Sequence, residues 1–205
     1  MIYDISRPIH GDMAVFKNFK FKRPESEMNS TFAKNAINES TWTINLHTGT
    51  HVDAPRHMIE DGDSIDQVDL ALYVGRCKVF DLTHVEDAIH AVDVQNLDIK
   101  NGDIVLFKTT NSFEEGFNPD FVYLAEDAAR LLVKAGVRTI GIDAMSIERD
   151  QPNHRTHVIV LGAGVGILED IRLAEVPAGE YFLHAPPLHL VGGDGSPVRA
   201  LLSTL

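Results

Sequence analysis

The chain carries, from residue 47 to residue 57, the sequence His47-Thr48-Gly49-Thr50-His51-Val52-Asp53-Ala54-Pro55-Arg56-His57. Three histidines and one aspartate fall within these eleven residues. Imidazole nitrogens and carboxylate oxygens are ligands that suit zinc, manganese or iron. The Gly, Thr, Val and Pro residues between them disfavour a helix and predict an extended path. The segment therefore predicts a metal site that the rest of the chain supports and completes.

The four candidate ligands share one side of this segment if it is extended, because His47, His51, Asp53 and His57 all have odd numbers. Side chains two residues apart in an extended chain lie on the same face. The preceding residues, 41–46, alternate polar and apolar side chains, a pattern that predicts a strand leading into the segment. We therefore expect the four side chains to project together.

Length and composition indicate an ordinary globular protein. A chain of 205 residues favours one compact domain spanning residues 1–205. Its 18 Lys and Arg residues against 30 Asp and Glu residues give a formal charge of −12. This excess of negative charge argues against nucleic acid and against an anionic membrane as partners. The expected partner is instead a small-molecule substrate.

The cysteine count and the N-terminal sequence predict a cytoplasmic protein. The single cysteine, Cys77, excludes an internal disulfide framework and a cysteine-based zinc site, and it fits a reducing compartment. Residues 1–7 lack a basic region followed by an apolar stretch, so we expect no secretory signal. No run of about 18 apolar residues is present, so we expect no membrane-spanning segment.

The order of the predicted elements indicates an α/β fold with a mixed sheet and few helices. Residues 104–109 and 137–143 have the pattern of buried strands, and residues 123–136 between them repeat apolar side chains at helical spacing. This order of strand, helix and strand predicts a parallel pairing. Further strands are predicted at 2–5, 76–82, 179–184 and 198–202, and short helices towards residue 72 and at 85–91.

Further metal ligands are expected later in the chain. His157 begins a largely apolar run, and Glu169 lies within an apolar stretch, where an unpaired carboxylate is costly. A metal would remove that cost, and so would a salt bridge between Glu169 and Arg172. Other histidines are alternatives to His157, namely His154 in the same loop and His184 and His189 near the C-terminus.

The segment 47–57 resembles the HxGTHxDxPxH motif of the cyclase family of metal-dependent hydrolases. That family includes the bacterial-type kynurenine formamidases and the isatin hydrolases. The resemblance covers essentially the whole chain. It extends through Asp4-Ile5-Ser6 with Pro8, Gly141-Ile142-Asp143, Glu169 and Gly193-Asp194-Gly195-Ser196-Pro197-Val198-Arg199-Ala200.

The resemblance implies a set of metal ligands and one catalytic histidine. His57 is the implied proton acceptor and donor. The implied cofactor is a divalent metal, with one or two ions per subunit, zinc being the first choice and manganese the alternative. The implied fold is the swivelling β/β/α arrangement of the family, in a homodimer or a higher homo-oligomer. The implied ligands are His47, His51, Asp53, His157 and Glu169. Among them, Asp53 is the implied bridge between two metal ions.

The implied reaction is hydrolysis of a C–N bond in a small amide, as in an arylformamidase, with hydroxide made available near pH 7 by the metal. The formamidases carry a tryptophan near residue 16, where this chain has Phe16, the candidate substrate-binding residue. Residues 144–146 are Ala-Met-Ser, where the formamidases have Thr-Pro-Ser. Hydrolysis of a cyclic amide, an imide or a lactone therefore stays open. A non-catalytic metal-binding protein is the other class of function, against which the retention of His57 argues.

Overall fold

A nine-stranded mixed sheet forms the framework of the protein in a computed structural model that describes residues 1–205. The strands are β1 Ile2–Asp4, β2 Glu25–Ser30, β3 Glu39–Thr43, β4 His51–Asp53, β5 Val74–Asp81, β6 Ala88–Ile89, β7 Ile104–Lys108, β8 Tyr123–Leu124, β9 Thr139–Ile142, β10 Gly166–Glu169, β11 Gly179–His184, β12 Gly195–Pro197 and β13 Leu201–Thr204. The helices are α1 Phe32–Asn35, α2 Ala91–Val94, α3 Glu126–Ala135 and α4 Arg155–Gly162.

The large sheet has the order β1-β13-β11-β5-β7-β9-β10-β4-β12. The strands β5, β7, β9 and β10 run parallel at its centre, and every other pairing in it is antiparallel. The parallel pairing of β7 with β9, connected through α3, was predicted from the sequence and is confirmed. The expected fold class, α/β with a mixed sheet, is therefore confirmed as well.

Both faces of the sheet are buried, because apolar side chains alternate along fully buried strands. On β7, Val105 and Phe107 join a cluster of 21 buried residues that includes α3 and α4 side chains. Ile104 and Leu106 point the other way, into a second cluster of 18 buried residues. Burial of a side chain such as Leu106 stabilises the fold by roughly 1.5–3 kcal/mol. The sheet is thus a well-packed support for the loops and side chains at the ends of its strands.

Two predicted helices are wrong. Residues 85–91 contain the two-residue strand β6, which pairs with β8, instead of a helix. The helix expected towards residue 72 is replaced by two single 3₁₀ turns, Ile65–Gln67 and Leu70–Leu72. The side chain of Asp69 accepts a hydrogen bond from the backbone N–H of Ala71 and so begins the second turn separately.

The strands β2 and β3 form a hairpin that makes no ladder hydrogen bonds with the large sheet. Its apolar side chains Met28, Phe32, Ile37 and Trp42 are exposed, from 46% for Trp42 to 69% for Phe32. The strand predicted at 41–46 ends at Thr43, where this hairpin ends. No helix of the protein has the length and apolar character needed to cross a membrane.

The carboxylate of Asp143 connects the loops that follow β7 and β9. It is buried and accepts five hydrogen bonds, at 2.7–3.4 Å. The donors are the backbone N–H and hydroxyl groups of Thr109 and Ser112 and the side-chain amide of Asn111. These bonds fix the loops at the carboxyl ends of two parallel strands.

Replacement of Asp143 by alanine should lower the free energy of unfolding by about 3 kcal/mol or more, because each buried donor left without a partner costs about 1–3 kcal/mol. Urea denaturation measures this loss. Asp143→Asn keeps one acceptor oxygen and should fall between the wild type and the alanine variant. Alanine at the exposed Asp120 is the control, and a loss at Asp143 no larger than at Asp120 would contradict the role of this carboxylate.

Candidate metal centre

Two strands from distant parts of the sequence form the floor of the site. The antiparallel pairing of β4 with β10 places His51 opposite Glu169 and Asp53 opposite Ile167. Side chains directly opposite each other in such a pair share a face. His51 Nε2 lies 3.1 Å from Glu169 Oε2 and 3.6 Å from Asp53 Oδ1. These three polar side chains are buried on the face of the sheet that α4 covers.

Helix α4 adds His157 from above this floor. Its Nε2 lies 3.4 Å from Glu169 Oε1 and 3.6 Å from Asp53 Oδ2. The side chain is 4% exposed. The sequence-based pairing of His157 with Glu169 therefore corresponds to direct proximity in the fold.

His47 and His57 reach the same centre from the turns on either side of β4. His47 Nδ1 lies 2.9 Å from Asp53 Oδ1, and the rings of His47 and His57 are 3.9 Å apart at their centroids. The expectation of one continuous extended segment is wrong, since residues 47–50 form a turn and Pro55–His57 form a 3₁₀ turn. The alternation of faces holds only from His51 to Asp53, yet all four side chains converge.

Gly195 on β12 leaves the space that the His47 imidazole occupies. A Cβ atom at Gly195 would lie 2.8 Å from His47 Cε1 and 2.9 Å from the carbonyl oxygen of Val52. Any side chain there would push the imidazole away or separate β12 from β4. The glycine of the C-terminal Gly-Asp-Gly sequence is therefore required by close packing against the site.

Hydrogen bonds fix the orientation of two of the imidazoles. His51 Nδ1 donates to the carbonyl oxygen of Gly49 at 2.7 Å, because that oxygen can only accept. His157 Nδ1 bonds Glu148 Oε1 at 2.6 Å. In both rings Nε2 is the nitrogen that faces the carboxylates of the centre. This is the usual arrangement of metal-binding histidines, whose second nitrogen is held by a carbonyl or carboxylate group.

One buried oxygen in the centre has no hydrogen-bond partner, and it is Asp53 Oδ2. A buried carboxylate oxygen without a partner is costly, and a bound cation is one of the standard explanations. The surrounding donors are imidazole Nε2 atoms and a second carboxylate, which are ligands that zinc and manganese accept. The residues present therefore fit a divalent metal.

The protonation of the centre is shifted by its own charges. Burial lowers the pKa of His157, but hydrogen bonds to Glu148 and Glu169 outweigh it and raise that pKa to about 10. The pKa of His51 is likewise raised, because the hydrogen bond and charge of Glu169 exceed the effect of burial. Both imidazoles therefore hold a proton more readily than a free histidine does, because carboxylates surround them.

The pKa values of Asp53 and His57 are both lowered, which keeps Asp53 charged and His57 neutral. Burial raises the pKa of Asp53, but the hydrogen bond from His47 and the nearby imidazoles hold it well below its usual range. Burial lowers the pKa of His57, and the charges of His47 and His157 lower it further. Asp53 is therefore ionised at neutral pH, and His57 is neutral and able to accept a proton.

A cavity of about 300 Å³ opens onto this centre. The 3₁₀ turns Phe16–Asn18 and Lys20–Lys22 form one wall of it, and the side chains of Phe16 and Phe19 line that wall. Phe16 also packs edge-on against Phe117 and Phe121, at 5.4 and 6.4 Å between ring centroids. The candidate substrate-binding residue Phe16 therefore lies in the wall of this cavity, backed by other aromatic rings.

Of the alternatives to the predicted distal ligands, His154 borders the same cavity, and the others lie away from the centre. His184 and His189 are exposed, and His154 is 52% exposed with its Nδ1 3.4 Å from Glu148 Oε1. Arg172 does not pair with Glu169, since its guanidinium contacts Glu115 and backbone carbonyl groups.

Two acidic residues of the site were missed as contacts of the imidazoles. Glu148 holds His157, and Asp194 Oδ2 lies 3.1 Å from His47 Nε2 and 3.8 Å from His57 Nδ1. Asp194 belongs to the C-terminal Gly-Asp-Gly sequence, whose composition indicates a turn and gives no sign of these contacts. Glu148 gave no signal, because it follows the buried Ile147 in a loop without periodicity.

Replacement of Glu148 by glutamine should weaken metal binding by roughly 10–100-fold, the usual effect of losing an outer partner of a metal-binding histidine. Both carboxylate oxygens of Glu148 accept, one from His157 and the other from the backbone N–H of Thr156. Glutamine has only one acceptor oxygen and must turn an N–H towards one of these donors. Competition with a chelator measures the affinity. An unchanged affinity would show that Glu148 does not orient His157.

The chain is similar to known proteins over almost its full length. The family model described as "Putative cyclase" matches residues 3–149. The kynurenine formamidase of Sphingopyxis alaskensis is 35% identical over 206 residues, which cover 98% of this chain and 97% of that protein. A structure described as a predicted metal-dependent hydrolase from Bacillus stearothermophilus has a TM-score of 0.91 and 48% identity, covering 98% of this chain and 97% of that one.

Isatin hydrolase A from Labrenzia aggregata, in a structure bound to benzyl benzoate, has a TM-score of 0.88 and 25% identity. It covers 100% of this chain and 94% of its own. These similarities confirm the cyclase-like fold that the sequence motif implied. Together with the family match over residues 3–149, they show that the chain belongs to the cyclase family.

Proposed function

We propose that the protein is a metal-dependent hydrolase that cleaves a C–N bond of a small amide, as an arylformamidase does. One observation carries this proposal. Two carboxylates and the Nε2 atoms of two histidines converge in a buried centre, next to a cavity, around the partnerless oxygen of Asp53. Relatives named kynurenine formamidase and a neighbour named isatin hydrolase support the same class of reaction.

The proposed ligands are the five residues of the sequence-based set. Their polar atoms belong to three groupings of metal-binding size: His51, Asp53 and Glu169 form one, His47 and Asp53 form a second together with His57, and His157 belongs to a third with Glu148 and His154. Asp53 belongs to the first two of these groupings, so its two carboxylate oxygens would be able to hold two ions. When bound, a divalent metal polarises the substrate carbonyl and lowers the pKa of water. We propose zinc, with manganese as the alternative, in one or two ions per subunit.

His57 is the proposed proton carrier. It borders the cavity, its side chain is 24% exposed, and its nearest carboxylate oxygen, on Asp194, is 3.8 Å away. The ring is therefore loosely held compared with His51 and His157, whose Nδ1 atoms make short hydrogen bonds. In the proposed reaction His57 accepts the proton of the attacking water and passes it to the leaving nitrogen.

Phe16 and Phe19 give the cavity an aromatic wall, which supports a planar or aromatic substrate. A cyclic imide or a lactone could also pack against these aromatic rings, and such compounds are the alternative substrate class. Binding of a metal without catalysis is the alternative class of function.

Metal analysis combined with turnover of a small panel tests the proposal. The purified protein is analysed by mass spectrometry for bound zinc and manganese and then assayed with formanilides, cyclic imides and lactones. We expect bound metal and the fastest turnover with formanilides. Faster turnover of imides or lactones would select the alternative substrate class, and metal without turnover would select the non-catalytic function. Activity that survives complete chelation would overturn the metal mechanism.

We also propose that the protein is a homodimer or a higher homo-oligomer in the cytoplasm. An isolated two-stranded hairpin is marginally stable in water. The β2–β3 hairpin has no strand partner in the large sheet and exposes four apolar side chains, those of Met28, Phe32, Ile37 and Trp42. Packing of a second copy of the chain on the hairpin would bury these side chains and stabilise it. Sedimentation measures the mass directly, and a monomer would contradict this assembly.

A further inference from the structure

Three basic side chains line the cavity, and they differ in how their charges are balanced. Lys17 forms an ion pair with Asp150. Arg149 pairs with Asp87 at 2.8 Å and also donates to backbone carbonyl groups. Lys22 forms no ion pair, and its Nζ contacts the carbonyl oxygen of His47 at 3.4 Å. Lys22 is therefore the cation of this cavity that has hydrogen-bonding capacity to spare.

The backbone of Lys22 is fixed beside the metal-binding segment. The hydroxyl of the buried Thr48 donates to the carbonyl oxygen of Lys22 at 2.6 Å. The ammonium group can donate three hydrogen bonds. Its contact with His47 is longer than the ordinary 2.7–3.2 Å of an N–H···O bond. Lys22 thus holds its charge at the cavity wall with most of its donors unused.

The charge of Lys22 is unbalanced once a metal is bound. In a chain with a formal charge of −12, a half-buried lysine normally finds a carboxylate, as Lys17 does. The carboxylates whose charges act on Lys22 are those of Glu169, Asp53 and Asp194, and a divalent cation in the centre would offset them. The ammonium then remains as a positive charge directed at the cavity, and a half-buried charge is costly without a counter-ion.

We propose that Lys22 binds a carboxylate of the substrate, so that the enzyme selects small amides that carry a negative charge beside an aromatic ring. This inference rests on the proposed hydrolase function and names its substrate class. Phe16 and Phe19 lie in the same wall as Lys22 and would contact the ring. Lys22 is thereby a specificity-determining residue, and it takes no part in proton transfer.

Matched substrates and matched variants test this role in the metal-loaded protein. The substrates are formanilide and the isomers of formamidobenzoate, which differ from it only by a carboxylate. The variants are Lys22→Met, Lys22→Arg and the control Lys20→Met, which removes an exposed lysine of the same 3₁₀ turn. We expect Lys22→Met to lower kcat/KM for the preferred formamidobenzoate roughly 10–100-fold, the range for a hydrogen bond to a charged group. Formanilide turnover should fall much less, so that the preference for the carboxylate-bearing substrate is lost, and Lys22→Arg should keep most of that preference.

A binding measurement separates this inference from the proposed function. Calorimetry compares benzoate with its neutral isostere benzamide on the metal-loaded wild type, Lys22→Met and Lys20→Met, with metal content verified for each. We expect a preference for benzoate that is lost only in Lys22→Met, even if no substrate is hydrolysed and the proposed reaction is wrong. No preference in the wild type, or a preference that Lys22→Met retains because benzoate binds the metal alone, would overturn the inference.

Discussion

His57→Ala should lower kcat by two orders of magnitude or more while the protein keeps its metal. General acid–base catalysis contributes roughly 10²–10⁴-fold to a reaction rate, and His57 is the imidazole proposed to supply it. It borders the cavity, burial keeps it neutral near pH 7, and no short hydrogen bond holds its ring. Loss of the side chain removes a proton acceptor and leaves the groups around Asp53 Oδ2 in place.

Steady-state kinetics together with metal analysis of the same preparation measures both halves of this prediction. His154→Ala is the matched control, because His154 lines the same cavity and is half exposed. It should change kcat little. If His57→Ala lost metal in proportion to activity, His57 would be a ligand and the proton-carrier role would be wrong. Full activity in His57→Ala would exclude both roles.

Asp53→Ala should abolish both metal binding and turnover. Asp53 is the residue of the centre that approaches three imidazoles, with Oδ1 near His47 and His51 and Oδ2 near His157. Its loss therefore removes a negative charge and a ligand from two of the three groupings of metal-binding residues. We expect the affinity for zinc to fall at least a hundredfold, so that dialysis removes the metal.

Metal stoichiometry after dialysis measures this effect, and circular dichroism establishes that the variant is folded. Asp53→Asn keeps the shape of the side chain without its charge and should also bind metal weakly. Asp61→Ala removes an exposed carboxylate from the following turn and should bind metal as the wild type does. Full occupancy in Asp53→Ala would remove Asp53 from the proposed ligand set.

Buried elements with strong patterns were predictable from the sequence, and elements that depend on a distant partner were not. The apolar run Ile104–Phe107 and the helical repeat that includes Leu132 carry their own signal. By contrast, β12 consists of Gly195-Ser196-Pro197, which has the composition of a turn. It is a strand because β4 supplies its hydrogen-bonding partner. No local pattern could have predicted that pairing.

The residues of the metal centre likewise include some that the sequence indicated and some that it did not. The density of histidine and aspartate in residues 47–57 indicated the site, and the family resemblance supplied His157 and Glu169. The odd-number spacing predicted one extended segment, which is wrong. The chain turns on both sides of β4, and His47 and His57 reach the centre from these two turns. Glu148 and Asp194 act on the imidazoles from loops, where position depends on tertiary contacts.

The hairpin of β2 and β3 shares no ladder hydrogen bonds with the large sheet that carries the metal centre. Its length and sequence can therefore drift during evolution while the spacing of the ligands stays fixed. If a second copy packs on it, subunit recognition and chemistry are encoded in separate parts of the chain. Members of one family could then change their assembly without losing their reaction.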